Sequence, residues 1–84
     1  MPAREKVYHE LEAGMKKIPV NSSNLRSVGY DVVARILEVE FHGGEVYQYF
    51  DVPESVYAAL MNAPSHGSYL YWNIRNRYRY SQVG

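Results

Sequence analysis

Between Tyr69 and Tyr80 the chain interleaves five aromatic residues, Tyr69, Tyr71, Trp72, Tyr78 and Tyr80, with Arg75, Arg77 and Arg79. Flat rings give unpaired bases a surface to stack on, and the guanidinium fork matches the oxygens of a phosphate. One stacked base contributes about 1–3 kcal/mol, so two or three suffice for useful affinity. Large rings also fill small cores. Trp72, Ile74 and Tyr69 are therefore expected mostly inside, and the three arginines outside, because charged side chains are seldom buried unpaired. Tyr47 and Tyr49 pose the same choice between stacking and packing. On a sheet face they could receive bases, although Glu38 and Glu40 nearby would repel phosphate.

Catalytic chemistry finds little support. His9, His42 and His66 are far apart, without the spacing of a metal site. Ser65 and His66 are adjacent, but a nucleophile and its base are recognised by geometry rather than adjacency. Glu38 and Glu40 read as a solvated strand face. No catalytic residue, metal ligand or cofactor is assigned, and the chain is read as a binding module.

The elements that must position these residues centre on Val33–Phe50. Two apolar, β-rich runs flank Gly43-Gly44, a pair suited to the positive φ of a tight hairpin. A two-residue turn there sets Phe41 against Val46. Leu37, Val39, Phe41, Val46 and Phe50 then share one face, and Glu38, Glu40, Tyr47 and Tyr49 the other. A loop one residue longer or shorter reverses this and sends both tyrosines inward.

Upstream, Arg4–Lys17 carries Val7, Leu11 and Met15 at helical spacing, and Pro19 stops it. Residues 18–24 look turn-like, Leu25–Tyr30 is a strand, and Asp31 begins the turn out of it. Downstream, Pro53 opens a helix whose apolar stripe is Val52, Val56, Leu60 and Ala63. Pro64 ends that helix and Ser65 caps a second. Residues 78–83 alternate like an edge strand. The expected fold is α+β: a small antiparallel meander of about three strands, then two short helices and a short edge strand, with an extra N-terminal helix.

At 84 residues the chain makes one small domain with no Cys, which suits a reducing cytoplasm. Charged residues Arg4, Glu5 and Lys6 argue against a secretory signal, and no apolar run could span a bilayer. Net charge is zero, yet residues 31–54 hold six acids against Arg35, while residues 64–84 hold three arginines and no acid. Such segregation leaves room for a basic C-terminal face on a neutral protein.

The runs SSNLRSVGYD, LEVEF, GEVYQYFDVPESVY, APSHGSYL and IRNRYRY together resemble the KTSC domain. That small module is named for the C-terminus of some lysyl-tRNA synthetases and also stands alone in bacterial and phage proteins. The resemblance runs from about Ile18 to Val83, leaving residues 1–17 as an extension. Its most specific element is Tyr47-Gln48-Tyr49 followed by Val52-Pro53. Leu70-Tyr71 and Tyr78-Arg79-Tyr80 stand where the family tends to have Phe-Asn and Tyr-Pro-Tyr. The resemblance implies a small α+β domain, and through the synthetases it suggests RNA.

The expected function is binding of RNA or single-stranded nucleic acid through Arg75, Arg77, Arg79, Tyr47, Tyr49, Tyr71, Tyr78 and Tyr80, in the cytoplasm. Two other readings use the same residues. In one, a phage-type homo-oligomer sequesters a small nucleotide-derived signal; in the other, the tyrosine-rich face docks a protein.

Overall fold

The computed structural model describes residues 15–84. Five strands, β1 (Lys17–Pro19), β2 (Leu25–Asp31), β3 (Ile36–Phe41), β4 (Val46–Tyr49) and β5 (Tyr80–Gln82), form one antiparallel sheet in the order β1-β2-β3-β4-β5. Two helices, α1 (Glu54–Asn62) and α2 (His66–Asn73), connect β4 to β5. The α+β class stands, with five strands rather than three plus an edge. The helix expected over Arg4–Lys17 lies outside the described residues as far as Gly14. At its end Lys17 is in β1, opposite Gly29, with Nζ 2.7 Å from Glu38 Oε2. Polar residues around Ile18 and Pro19 hid this short strand, whose partner β2 supplies the pairing.

Two turns set the strand boundaries. Asp31 accepts at Oδ1 from the Ala34 N–H and at its carbonyl from the Arg35 N–H, each at 2.7 Å. Arg35 takes a left-handed φ of 58°. This tight turn lifts Val32 and Val33 into solvent, so β3 starts at Ile36 and not at Val33. At the second turn the Gly44 N–H donates to the Phe41 carbonyl and the Phe41 N–H to the Glu45 carbonyl, both at 2.9 Å. Gly44 has φ +100°. The loop is therefore three residues, His42-Gly43-Gly44, with glycine at the left-handed position.

That extra residue reverses the expected faces. Glu40 opposes Val46, Val39 opposes Tyr47 and Leu37 opposes Tyr49. Tyr47 and Tyr49 thus join Leu37 and Val39 on the core side, because side chains alternate strictly along a strand. Tyr49 is buried and Tyr47 partly so.

Both helices cover this side of the sheet. Leu25, Val28, Leu37, Val39 and Tyr49 from the strands meet Val52, Leu60, Leu70 and Ile74 in the core. Helix α1 presents Val56 and Leu60 to it as the sequence spacing predicts. Ser65 caps α2 by accepting from the Ser68 N–H at 3.2 Å. Tyr30 stacks on Tyr57 at 4.8 Å and donates its hydroxyl hydrogen to the Val52 carbonyl, tying β2 to the start of α1.

The opposite face is polar and internally bonded. Gln48 donates to Glu38 Oε1 at 2.9 Å, Lys17 holds the other Glu38 oxygen, and Ser27 donates to Glu40 at 3.0 Å. Glu38 therefore links β1, β3 and β4.

The hairpin turn gives a clean test. A side chain at Gly44 would meet nothing within 4 Å, so its cost is backbone strain alone. Gly44→Ala should lower unfolding free energy by about 1–2 kcal/mol. Urea denaturation is the measurement, and a midpoint equal to the parent's would contradict the turn's geometry.

Candidate functional site

The reversed register gathers a cleft of about 570 Å³ on the core side of the sheet, where the helices leave the strands uncovered. Tyr47 and Tyr49 of β4 and Tyr80 of β5 form one wall. Their ring centroids lie 5.6 Å apart for Tyr47–Tyr80, 5.8 Å for Tyr49–Tyr80 and 6.4 Å for Tyr47–Tyr49. Phe41 meets Tyr47 edge-on at 5.7 Å. Helix α2 supplies the facing wall with Gly67, Leu70 and Tyr71.

Arg75 follows directly after α2 and also lines the cleft. Its guanidinium sits 5.3 Å from the centre of the Tyr71 ring, a cation–π contact that orients it without neutralising it. Tyr71 in turn packs edge-on against Trp72 at 4.9 Å. Trp72 is 71% exposed, contrary to the core position expected for it. Helix α2 turns Leu70 and Ile74 inward, four residues apart, so Trp72 between them faces out. Ile74 is buried and Tyr69 partly buried, as expected.

Five of the eight candidate residues converge here: Tyr47, Tyr49, Tyr71, Tyr80 and Arg75. Tyr78 does not line the cleft and packs against the core. Arg77 is exposed outside it. Arg79 lies over Phe50 at 5.5 Å and donates to Asp51 at 3.2 Å. With both partners 78% exposed, that ion pair is weak and its cation stays available to a competing anion.

Sequence reasoning missed the other end of the cleft, lined by Ser23, Asn24, His42, Gly43 and Glu45. Local bonds fix it. Ser22 Oγ accepts from the N–H groups of Asn24 and Leu25 at 3.2 Å, and the His42 N–H donates to the Asn24 carbonyl at 3.0 Å. Gly67 lets the Asn24 amide approach α2, since a Cβ there would lie 3.1 Å from Asn24 Nδ2. The polar SSN run beside a glycine turn was the available signal. His66, by contrast, is engaged with the Leu60 carbonyl at 2.8 Å. Among the described residues no three His, Cys, Asp or Glu side chains cluster to hold a metal ion, and no helix is long and apolar enough to cross a membrane.

Burial pushes the Tyr49 hydroxyl above the ordinary tyrosine value of 10.0, with neighbouring Tyr47 reinforcing the shift, Arg75 opposing it and Tyr80 adding to it. Tyr49 is thus a neutral donor at physiological pH. The folded state keeps this proton to higher pH than the unfolded chain, so the associated stability is complete below about pH 10 and declines above it. The urea midpoint should accordingly hold up to about pH 10 and fall above it, less steeply in Tyr49→Phe. Identical slopes for the two proteins would refute this assignment.

Comparison with known proteins adds the relationship. The family model of the KTSC domain matches residues 21–78. An uncharacterized protein of Stutzerimonas stutzeri is 44% identical over 70 residues, covering 71% of this chain and 99% of its own. The lysine–tRNA ligase of Trichormus variabilis is 38% identical over 61 residues, which are 73% of this chain and 11% of the ligase. The crystal structure of a KTSC domain protein from Yersinia pestis superposes with a TM-score of 0.79 at 37% identity, covering 83% of this chain and 99% of that one.

Proposed function

The chain belongs to the KTSC domain family, and on that premise we propose that it is a non-catalytic module that binds single-stranded RNA. One nucleotide enters the tyrosine cleft, and its neighbours run over the exposed surface beyond α2. The observation that carries this reading is the convergence of Tyr47, Tyr49, Tyr71 and Tyr80 on one cleft beside the Arg75 guanidinium. Stacking on such rings is tolerant of sequence and worth about 1–3 kcal/mol per base.

A polymer suits the surface better than a lone nucleotide. Trp72 and Arg77 are exposed outside the cleft, where a mononucleotide inside it would leave them unused. A strand continuing past Arg75 would stack on Trp72 and place a phosphate near Arg77. Segregation of charge favours the same path, since residues 64–84 carry three arginines and no acid. The acids Glu38 and Glu40, which would repel phosphate, lie on the opposite sheet face. Support also comes from relatives: the matching segment is part of lysine–tRNA ligases, proteins whose name places them with an RNA.

Titration of short single-stranded RNA followed by Trp72 fluorescence tests the proposal. Three neutralised phosphates contribute about −2 to the slope of log affinity against log salt, at roughly 0.7 each for single strands. The combined Arg75→Ala, Arg77→Ala, Arg79→Ala variant should bind at least tenfold more weakly and lose most of that slope. Unchanged affinity in a correctly folded triple variant would overturn the reading. Saturable quenching by a mononucleotide or cyclic nucleotide, with RNA inert, would replace it with the small-ligand alternative. Light scattering would then show whether the chain assembles around that ligand.

A further inference from the structure

The cleft is chemically polarised. Glu45, immediately before β4, lines the same cleft as Tyr47 and Tyr49. Four positions along the chain separate Glu45 from Tyr49, about 13 Å at an extended rise of roughly 3.3 Å per residue. Helix α2 starts beside Asn24 at Gly67 and ends just before Arg75, which places Arg75 away from the hairpin end, and its charge also acts on the Tyr49 hydroxyl. Glu45 lies at the hairpin end with His42, Gly43 and Asn24. A cation at one end and a carboxylate at the other, with aromatic walls between, will orient a nucleotide with phosphate toward Arg75 and base edge toward Glu45.

The Glu45 carboxylate is placed to read that edge. Glu38 is held by Lys17 and Gln48, and Glu40 by Ser27. Glu45 has no hydrogen bond or ion pair of this kind among the described residues. Its side chain folds back over Gly43, where a Cβ would lie 2.6 Å from Oε1. Any residue but glycine at position 43 would therefore force the carboxylate to move. A free carboxylate is an acceptor with two oxygens, and it pairs best with two parallel N–H donors. Among the RNA bases guanine offers these, at N1–H and the 2-amino group. Adenine and cytosine each set one amino donor beside a ring-nitrogen acceptor, which a carboxylate repels. Uracil flanks its N3–H with two carbonyl oxygens.

We infer that the cleft is selective for guanine, with Glu45 accepting from N1–H and the 2-amino group while Tyr47 and Tyr80 stack the ring and Arg75 holds the phosphate. This rests on the nucleic-acid reading above and names the base that the site prefers.

A short oligouridylate carrying one central guanosine, inosine, adenosine or cytidine provides the test, read by fluorescence anisotropy. The guanosine oligomer should bind about 5- to 160-fold more tightly than the adenosine one, the range for a bidentate base contact. Inosine, which lacks the 2-amino group, should fall between them. Glu45→Gln should bring the guanosine oligomer down toward the adenosine one. Gly43→Ala, by displacing the carboxylate, should narrow the gap in the same direction. The exposed site at Glu45 allows the folding of both variants to be checked by urea midpoint. Equal affinity for all four oligomers would overturn guanine selectivity and leave single-stranded binding standing. A guanine preference that survives in Glu45→Gln would remove Glu45 as its reader. Failure of every oligomer to bind would remove both proposals.

Discussion

The left-handed backbone at Gly44 is the constraint on which the cleft depends. A three-residue loop places Glu40 against Val46, and from that pairing every side chain of β4 acquires its direction. Tyr47 and Tyr49 face the helices; Gln48 faces the polar side, where Glu38 receives it. A slip by one residue would put two tyrosines into solvent and a glutamine amide into a core with no partner for it, at a cost of a few kcal/mol for the unsatisfied group. The register is thus enforced from both faces. Hydrophobic burial rewards the tyrosines, and hydrogen bonding rewards the glutamine.

That two-sided enforcement also separates a bonded polar face from an open aromatic one. Glu38, Lys17, Gln48, Ser27 and Glu40 satisfy one another on one face, so Glu38 and Glu40 are kept off the cleft side, where Glu45 stays. On the other face the helices cover most of the sheet but stop short of the β4–β5 side. The tyrosines there are partly packing and partly open, which is why core and site share residues. In so small a domain little surface can be set aside for one purpose.

Much of this arrangement was legible in the sequence where a local rule had one outcome. Ser65 announced its cap, Leu37 and Val39 their burial, and Leu60 and Ile74 the inward faces of their helices. The KTSC resemblance was carried by Tyr47-Gln48-Tyr49 and Val52-Pro53. Elsewhere local rules were silent or ambiguous. Gly43-Gly44 is compatible with two loop lengths of opposite parity, and only the tertiary core selects between them. Lys17–Pro19 has no β-rich pattern of its own and is a strand because β2 lies beside it. Trp72 followed the usual rule that a large ring is buried, yet its helix had already committed Leu70 and Ile74 to the interior. Glu45 reads in the sequence only as charge, since its position beside the tyrosines depends on the same loop parity.

Strand β5 adds a dynamic consequence. It is three residues long, exposed throughout and hydrogen-bonded to β4 along one side, yet it carries Tyr80, one of the rings of the cleft wall. Short edge strands are among the first segments to open in native-state fluctuations, at a free energy well below that of global unfolding. Opening β5 would withdraw Tyr80 while leaving Leu25, Leu37, Leu60 and Ile74 packed. The wall is therefore a door hung on β4, and a ring-stacked occupant would act as its latch: slowed amide exchange at Ser81 and Val83, whose N–H groups face β4, would measure occupancy with no label on the ligand.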